Sequence, residues 1–169
     1  MITPLLFWAA ATSLLSSPDL GKAQGQCRAD EHGPSFFVTV NGIKDRKGRL
    51  KLELYPANDA DFLADDNILV AAGKTFRRVE TIVPASGPIQ LCIRVPGPGI
   101  YALSLLHDRD ANHKFALSVD GIGFAGNPNL KMSKPSASTA SARALAGPTP
   151  ITIIMNYRRS LFSFGPLEH

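Results

Sequence analysis

Charge is scarce in this chain: only 19% of its 169 residues are Asp, Glu, Lys or Arg, against 44% apolar. That balance, with no block of like charge, excludes bulk disorder. Long apolar runs are missing too. The one at residues 5–15, "LLFWAAATSLL", is shorter than the roughly 20 residues a helix needs to cross a bilayer. The chain has neither a heptad pattern nor an internal repeat, so coiled coils and solenoids are out. It also lacks a dense basic stripe with interleaved aromatics, so the net charge of +4 argues against nucleic acid and suits anionic polymers of a cell envelope. No serine, cysteine or paired-carboxylate constellation suggests nucleophilic catalysis.

What is present at the N-terminus reads as an export signal. The run at 5–15 has the length of a secretory h-region, and "SSPDLGKAQG" behind it supplies helix breakers and small residues. Gly21-Lys22-Ala23 and Ala23-Gln24-Gly25 both fit a small-x-small site, so cleavage is expected after residue 23 or 25, making residues 1–25 a signal peptide. Gln26 stands where a lipoprotein site needs a small residue before Cys27. Export implies a periplasmic or secreted protein without a transmembrane segment, and an oxidising compartment in which Cys27 and Cys92 can bridge. They enclose 66 residues, and closing a loop of that length is worth roughly 4 kcal/mol. Two free structural thiols are the alternative.

The remainder, residues 26–169, reads as one domain with its core over about residues 35–159. Period-two alternation recurs, the mark of strands with one buried face. Phe36, Val38 and Val40 share a face, as do Leu50, Leu52 and Leu54; "NGIKDRKG" between them suggests a hairpin. Val79, Thr81 and Val83 form a third set. Ile89, Leu91, Ile93 and Val95 form a fourth, leaving Cys92 on the outer face. The strand with Tyr101, Leu103, Leu105 and His107 on one side is apolar on both, hence central. "ITIIMNYRR" reads as one last strand. Residues 127–150, rich in Ser, Ala and Pro, break the rhythm; a short helix near 136–142 or a loosely held edge segment is expected there. The fold class is therefore all-β, an antiparallel sandwich of about seven strands with at most short helical turns.

"VNGIKDRKGRLKLELY", "VPGPGIYALSLLHDRDANHKF", "VDGIGFAGNP" and "NYRR", in this order and spacing, resemble a family of small secreted bacterial proteins catalogued only as a domain of unknown function. The resemblance spans about residues 36–159. It implies an Ig-like or transthyretin-like sandwich and export, and it supplies no activity. One departure stands out. Where members have Asn-Gly-Lys followed by a further Asp, this chain has Asn112-His113-Lys114-Phe115.

Three candidate sites follow. Asp108, Asp110 and Asn112 occupy positions 1, 3 and 5 of a calcium-type D-x-D-x-N series, since Ca²⁺ seeks six to eight oxygen ligands. His113 stands where that loop turns on Gly, and Val119 where a Glu closes the shell, so a polar Asx turn is the competing reading and Asp120 is the first candidate to complete the set. His107 and Asp108 as an acid–base pair would point to opposite faces of a strand. A zinc site would need His107, His32 and His113 to converge. "YRRS", Tyr157 to Ser160, resembles the Tyr-Arg-Gly-Ser end of transthyretin-like hydrolases that open hydroxyisourate, without their N-terminal histidine. The tail residues Leu161, Phe162, Phe164 and Leu167 either cover a sheet edge or form a patch for a partner. The expectation is a non-catalytic binding or envelope-associated module without an obligate cofactor, its partner a cell-envelope polymer or protein. The binding loop would draw on His107, His113, Lys114, Asp120 and Asn127. The alternatives are a calcium-dependent structural module and a small-molecule hydrolase.

Overall fold

In the computed structural model, which describes residues 13–167, the alternating segments become ten strands in two sheets. Strands β1 (Ser35–Asn41), β4 (Ile89–Arg94) and β8 (Pro148–Ile154) form the smaller, ordered β4-β1-β8. The larger comprises β2 (Arg49–Pro56), β3 (Arg77–Ile82), β5 (Gly99–Asp108), β6 (Gly121–Phe124), β9 (Asn156–Ser160) and β10 (Ser163–Pro166), ordered β10-β9-β6-β5-β2-β3. A tenth strand, β7 (Ser141–Ala144), pairs with the start of β5. Two short helices, α1 (Lys22–Gly25) and α2 (Asp66–Ala71), complete the elements. Among the described residues no helix is long and apolar enough to cross a membrane.

The apolar faces read from the sequence meet between the sheets. Phe36, Val38, Leu91 and Ile93 of the smaller sheet pack on Leu50, Leu52, Leu54, Leu103 and Leu105 of the larger, all buried. The outer face of the larger sheet carries a second core, Tyr55, Ala102 and Phe124 beneath Phe62, Leu69, Phe76 and Leu130. Its aromatic rings meet edge to face, 5.4 to 5.8 Å apart. This explains why β5 is apolar on both faces: it separates two cores. Cys27 and Cys92 form a disulfide, Cα atoms 5.8 Å apart. It lies on the outer face of β4, where Cys92 pairs with Phe37 of β1.

Three expectations need correction. β1 and β2 are not a hairpin: β1 pairs with β4 and β8, and β2 with β3 and β5. Two strands with one apolar face each are as well satisfied stacked across a core as paired side by side, and period alone does not choose between them. "ITIIMNYRR" is two strands, because the chain leaves the smaller sheet after Ile154 and enters the larger at Asn156. Ile153, Met155 and Tyr157 stay buried through this corner, so the inward alternation is unbroken although the partners change. Residues 127–150 hold β7 and the start of β8 rather than a helix or loose edge. The antiparallel sandwich itself is as expected, with one parallel pair, β1 and β8, within it. Beyond the six segments read as strands, the structure adds β6, β7, β10 and the product of that division.

Residues ahead of the first strand are also packed. Gly21, at φ 78°, accepts a hydrogen bond from Arg78 N at 3.2 Å, and Leu20 joins the second core. A Cβ at Gly21 would lie 2.9 Å from the Arg77 backbone, so the close approach and the positive φ both require glycine.

Candidate binding site

The site is built at one end of the larger sheet, around residues 109–120 between β5 and β6. Asp108 ends β5 buried, and its carboxylate accepts from Asn112 N at 3.1 Å and His113 N at 2.8 Å. Those bonds hold the positive φ of Ala111 and His113, 56° and 64°. Asp120, also buried, accepts from Arg109 N at 2.9 Å and Ala116 N at 2.8 Å. Asp110 takes the Asn112 side-chain amide, and Asn112 Oδ1 takes Lys114 N, each at 2.8 Å. The series is thus a set of Asx turns stapled by Asp108 and Asp120. It also brings carboxylate oxygens of Asp108, Asp110 and Asp120 within 4.8 Å of one another. The histidines join no such convergence among the described residues.

His107 is fully buried with both ring nitrogens engaged. Nε2 lies 2.8 Å from the Lys47 carbonyl, which only accepts, so Nε2 carries the proton and Nδ1 accepts from the Tyr157 hydroxyl at 2.7 Å. The Tyr157 oxygen in turn accepts from Lys44 N at 3.1 Å. Burial pushes the His107 pKa down, opposed in part by the Lys47 carbonyl, and raises the Tyr157 phenol to about 12. Gly121 lies against the Tyr157 ring so closely that a Cβ would overlap it. The arrangement ties β5 and β9 of the larger sheet to the loop between β1 and β2 and leaves His107 no free nitrogen for a substrate. Asn127 is likewise occupied, bonding Thr152 O and Ile154 N of β8.

On one side of loop 109–120 lies a polar cleft of about 330 Å³, lined by His113 and Lys114 together with Lys51, Glu53, Arg78 and Glu80. Arg78 is buried at its base, with Nε 2.8 Å from Glu53 Oε1, Nη2 3.1 Å from Asp66 Oδ2 and Nη1 2.8 Å from the Ser17 carbonyl. Tyr55 donates to the other Glu53 oxygen at 2.7 Å. Burial opposes the charge of Arg78, but the two carboxylates outweigh it and raise its pKa. Glu80 lies between His113 Nδ1 at 3.2 Å and Lys22 Nζ at 3.0 Å, the latter off the hydrogen-bonding axis. Burial would raise the Glu80 pKa, and these two partners more than reverse it. The buried charges of this cleft, Arg78, Glu53, Asp66 and Glu80, are each paired.

On the other side of the loop lies an apolar groove of about 360 Å³, with Leu63, Phe124, Leu130 and Phe164 in its wall. Phe115 and Leu117, from the stapled loop, are 45% and 36% exposed at its edge, and Met132 is 56% exposed. Lys131 and Lys134 are its charged lining residues, and no acid lines it. Of the residues expected in a binding loop, His113 and Lys114 face a cleft, whereas His107, Asp120 and Asn127 are structural. The sequence reading missed Arg78, Glu53 and Tyr55, all on outer faces of β2 and β3. The pairing of Glu53 with Arg78 across these strands would have revealed the network, but only once register is known. Phe115 and Leu117 were missed as well, although apolar residues isolated in a polar loop are a signal the sequence carries.

A family model described as "Uncharacterized protein conserved in bacteria (DUF2141)" matches residues 38–152. No curated protein and no solved structure matches the chain.

Proposed function

Taking as premise that the chain belongs to the bacterial family DUF2141, we propose that it is an exported, non-catalytic binding module whose ligand enters the apolar groove beside Phe115 and Leu117. One observation carries this reading. The buried ionisable groups of the polar cleft are paired with one another, while the groove leaves apolar side chains facing water, which folded monomers rarely do in one place without a partner. The staples at Asp108 and Asp120 then serve to present Phe115 and Leu117 in fixed positions. The test is titration with a neutral fluorescent naphthylamine. Saturable enhancement that is lost in Leu117→Asp and Met132→Asp is expected; no saturable signal, or one unchanged by both substitutions, overturns the reading.

Export is supported by the disulfide and by the run at 5–15, most of which lies outside the described residues. Cleavage after residue 23 or 25 would remove Leu20, Gly21 and the Ser17 carbonyl that bonds Arg78. We therefore propose processing ahead of Ser16, which keeps the Ser17 carbonyl that accepts from Arg78. Intact mass of the exported protein decides this: a chain beginning at residue 24 or 26 overturns it.

A second reading rests on the convergence of Asp108, Asp110 and Asp120, a hard-oxygen set of the type Ca²⁺ prefers. It expects the melting temperature to rise on adding millimolar Ca²⁺ to EDTA-treated protein. An unchanged value dismisses it.

A further inference from the structure

We propose that the turn between β9 and β10 docks the protein on an anionic lipid surface, independently of what the groove binds. Phe162 is 86% exposed, more than any other large apolar side chain among the described residues, and adjacent Leu161 is 65% exposed. Both sit in the turn itself, behind Arg158 and Arg159. β10 does cover the edge of β9, as the tail was expected to do, yet these two residues take no part in that cover. A soluble hairpin gains nothing from an apolar tip, since turn residues are ordinarily polar or glycine.

The surroundings of the tip supply the second element. Pairing of Ile122 with Asn156, His107 with Gly121 and Arg49 with Asp108 sends the far end of β9 to the same end of the sheet as loops 42–48 and 109–120. These loops and residues 158–163 hold seven Lys or Arg against three Asp. Of the three, Asp45 is paired with Arg109, and Asp110 and Asp120 accept hydrogen bonds within loop 109–120. Arg159 aside, Lys44, Lys47 and Arg158 have no acid partner among the described residues, and they supply cationic charge at the end of the sheet that carries the two apolar side chains.

This combination selects a lipid surface over a protein. A stable protein interface needs about 800 Å² from each partner, which two side chains on a hairpin tip do not provide. A bilayer accepts a point insertion, and its anionic headgroups attract the surrounding cations.

Co-sedimentation of the mature, disulfide-bonded protein with vesicles tests it. Binding to phosphatidylcholine vesicles containing phosphatidylglycerol is expected, weakening as salt is raised, with little binding to phosphatidylcholine alone. Phe162→Ser and Arg158→Glu are each expected to weaken binding by about fivefold or more. Because both side chains lie outside the cores, an unchanged melting temperature will show the variants folded. Equal binding to both vesicle types, binding indifferent to both substitutions, or a dimer in ultracentrifugation that Phe162→Ser dissociates would each overturn the proposal.

Discussion

His107 Nδ1 and the Tyr157 hydroxyl stand 2.7 Å apart, both side chains buried, although 50 residues separate them along the chain. The contact ties the end of central strand β5 to β9, and through Lys44 to the loop leaving β1. Tyr157→Phe removes the hydroxyl that donates to the buried His107 Nδ1 and accepts from Lys44 N. Loss of about 1–3 kcal/mol in denaturant unfolding is expected, with the fold retained.

The same pair sets a pH dependence of both signs. Because the folded-state pKa of His107 is depressed, the histidine contributes stability above its unfolded value near 6.5 and loses it as pH falls from there through the folded value. Tyr157 is raised from 10.0 to about 12, so its contribution is intact below pH 10 and lost as pH climbs from 10 toward 12. Urea midpoints between pH 5 and 7 should drop toward acid, and His107→Gln should flatten that slope relative to wild type.

Arg78 is buried among Glu53, Asp66 and the Ser17 carbonyl. Arg78→Met strands two carboxylates in the interior and should cost about 3–5 kcal/mol, far more than removing an exposed cation such as Lys131. Denaturation midpoints of the two variants provide the comparison.

Asp108 and Asp110 should behave differently although they are two residues apart. Asp108→Ala frees the amides of Asn112 and His113 in a loop with two positive φ angles and should cost about 1–3 kcal/mol. Asp110→Ala, at an exposed position, should stay within about 0.5 kcal/mol. Equal costs in thermal melts would mean that Asp108 does not staple the loop.

Replacing Cys27 and Cys92 together by serine should destabilise the fold by about 2–5 kcal/mol, since the bridge spans a separation of 65 residues. Unfolding of wild type with and without reductant should reproduce the difference.

Inward faces were legible from period two because burial acts on each strand separately. Phe36, Leu52, Leu91 and Leu103 all lie where the alternation puts them. Pairing was not legible, since the choice between hairpin and stacked strands for β1 and β2 depends on distant partners. β7 was hidden for another reason: Ser141, Ala142 and Ala144 have little strand preference, and backbone pairing with Gly99 to Ala102 holds them. At the site, the Asx chemistry of Asp108 and Asp110 could be read from spacing, and Asp120 was named as the residue to fold back. The Arg78 network was invisible, because a charged residue alternating with Val79 reads as solvent-facing until a second layer is known to cover it.

The parallel pairing of β1 with β8 also bears on the order in which the molecule assembles. Ser35 pairs with Pro148 and Asn41 with Ile154, so one edge of β1 stays unpaired until nearly the whole chain is available. Local contacts form the β2–β3 ladder early, but closing the smaller sheet requires joining chain ends across a very long loop, a slow step. Until then β1 offers an open edge with Phe36, Val38 and Val40 beside it, a template for strands of other molecules. Folding yield should therefore fall as protein concentration rises, and the vulnerable interval ends only when Pro148 and Pro150 arrive to leave a proline-guarded edge in its place.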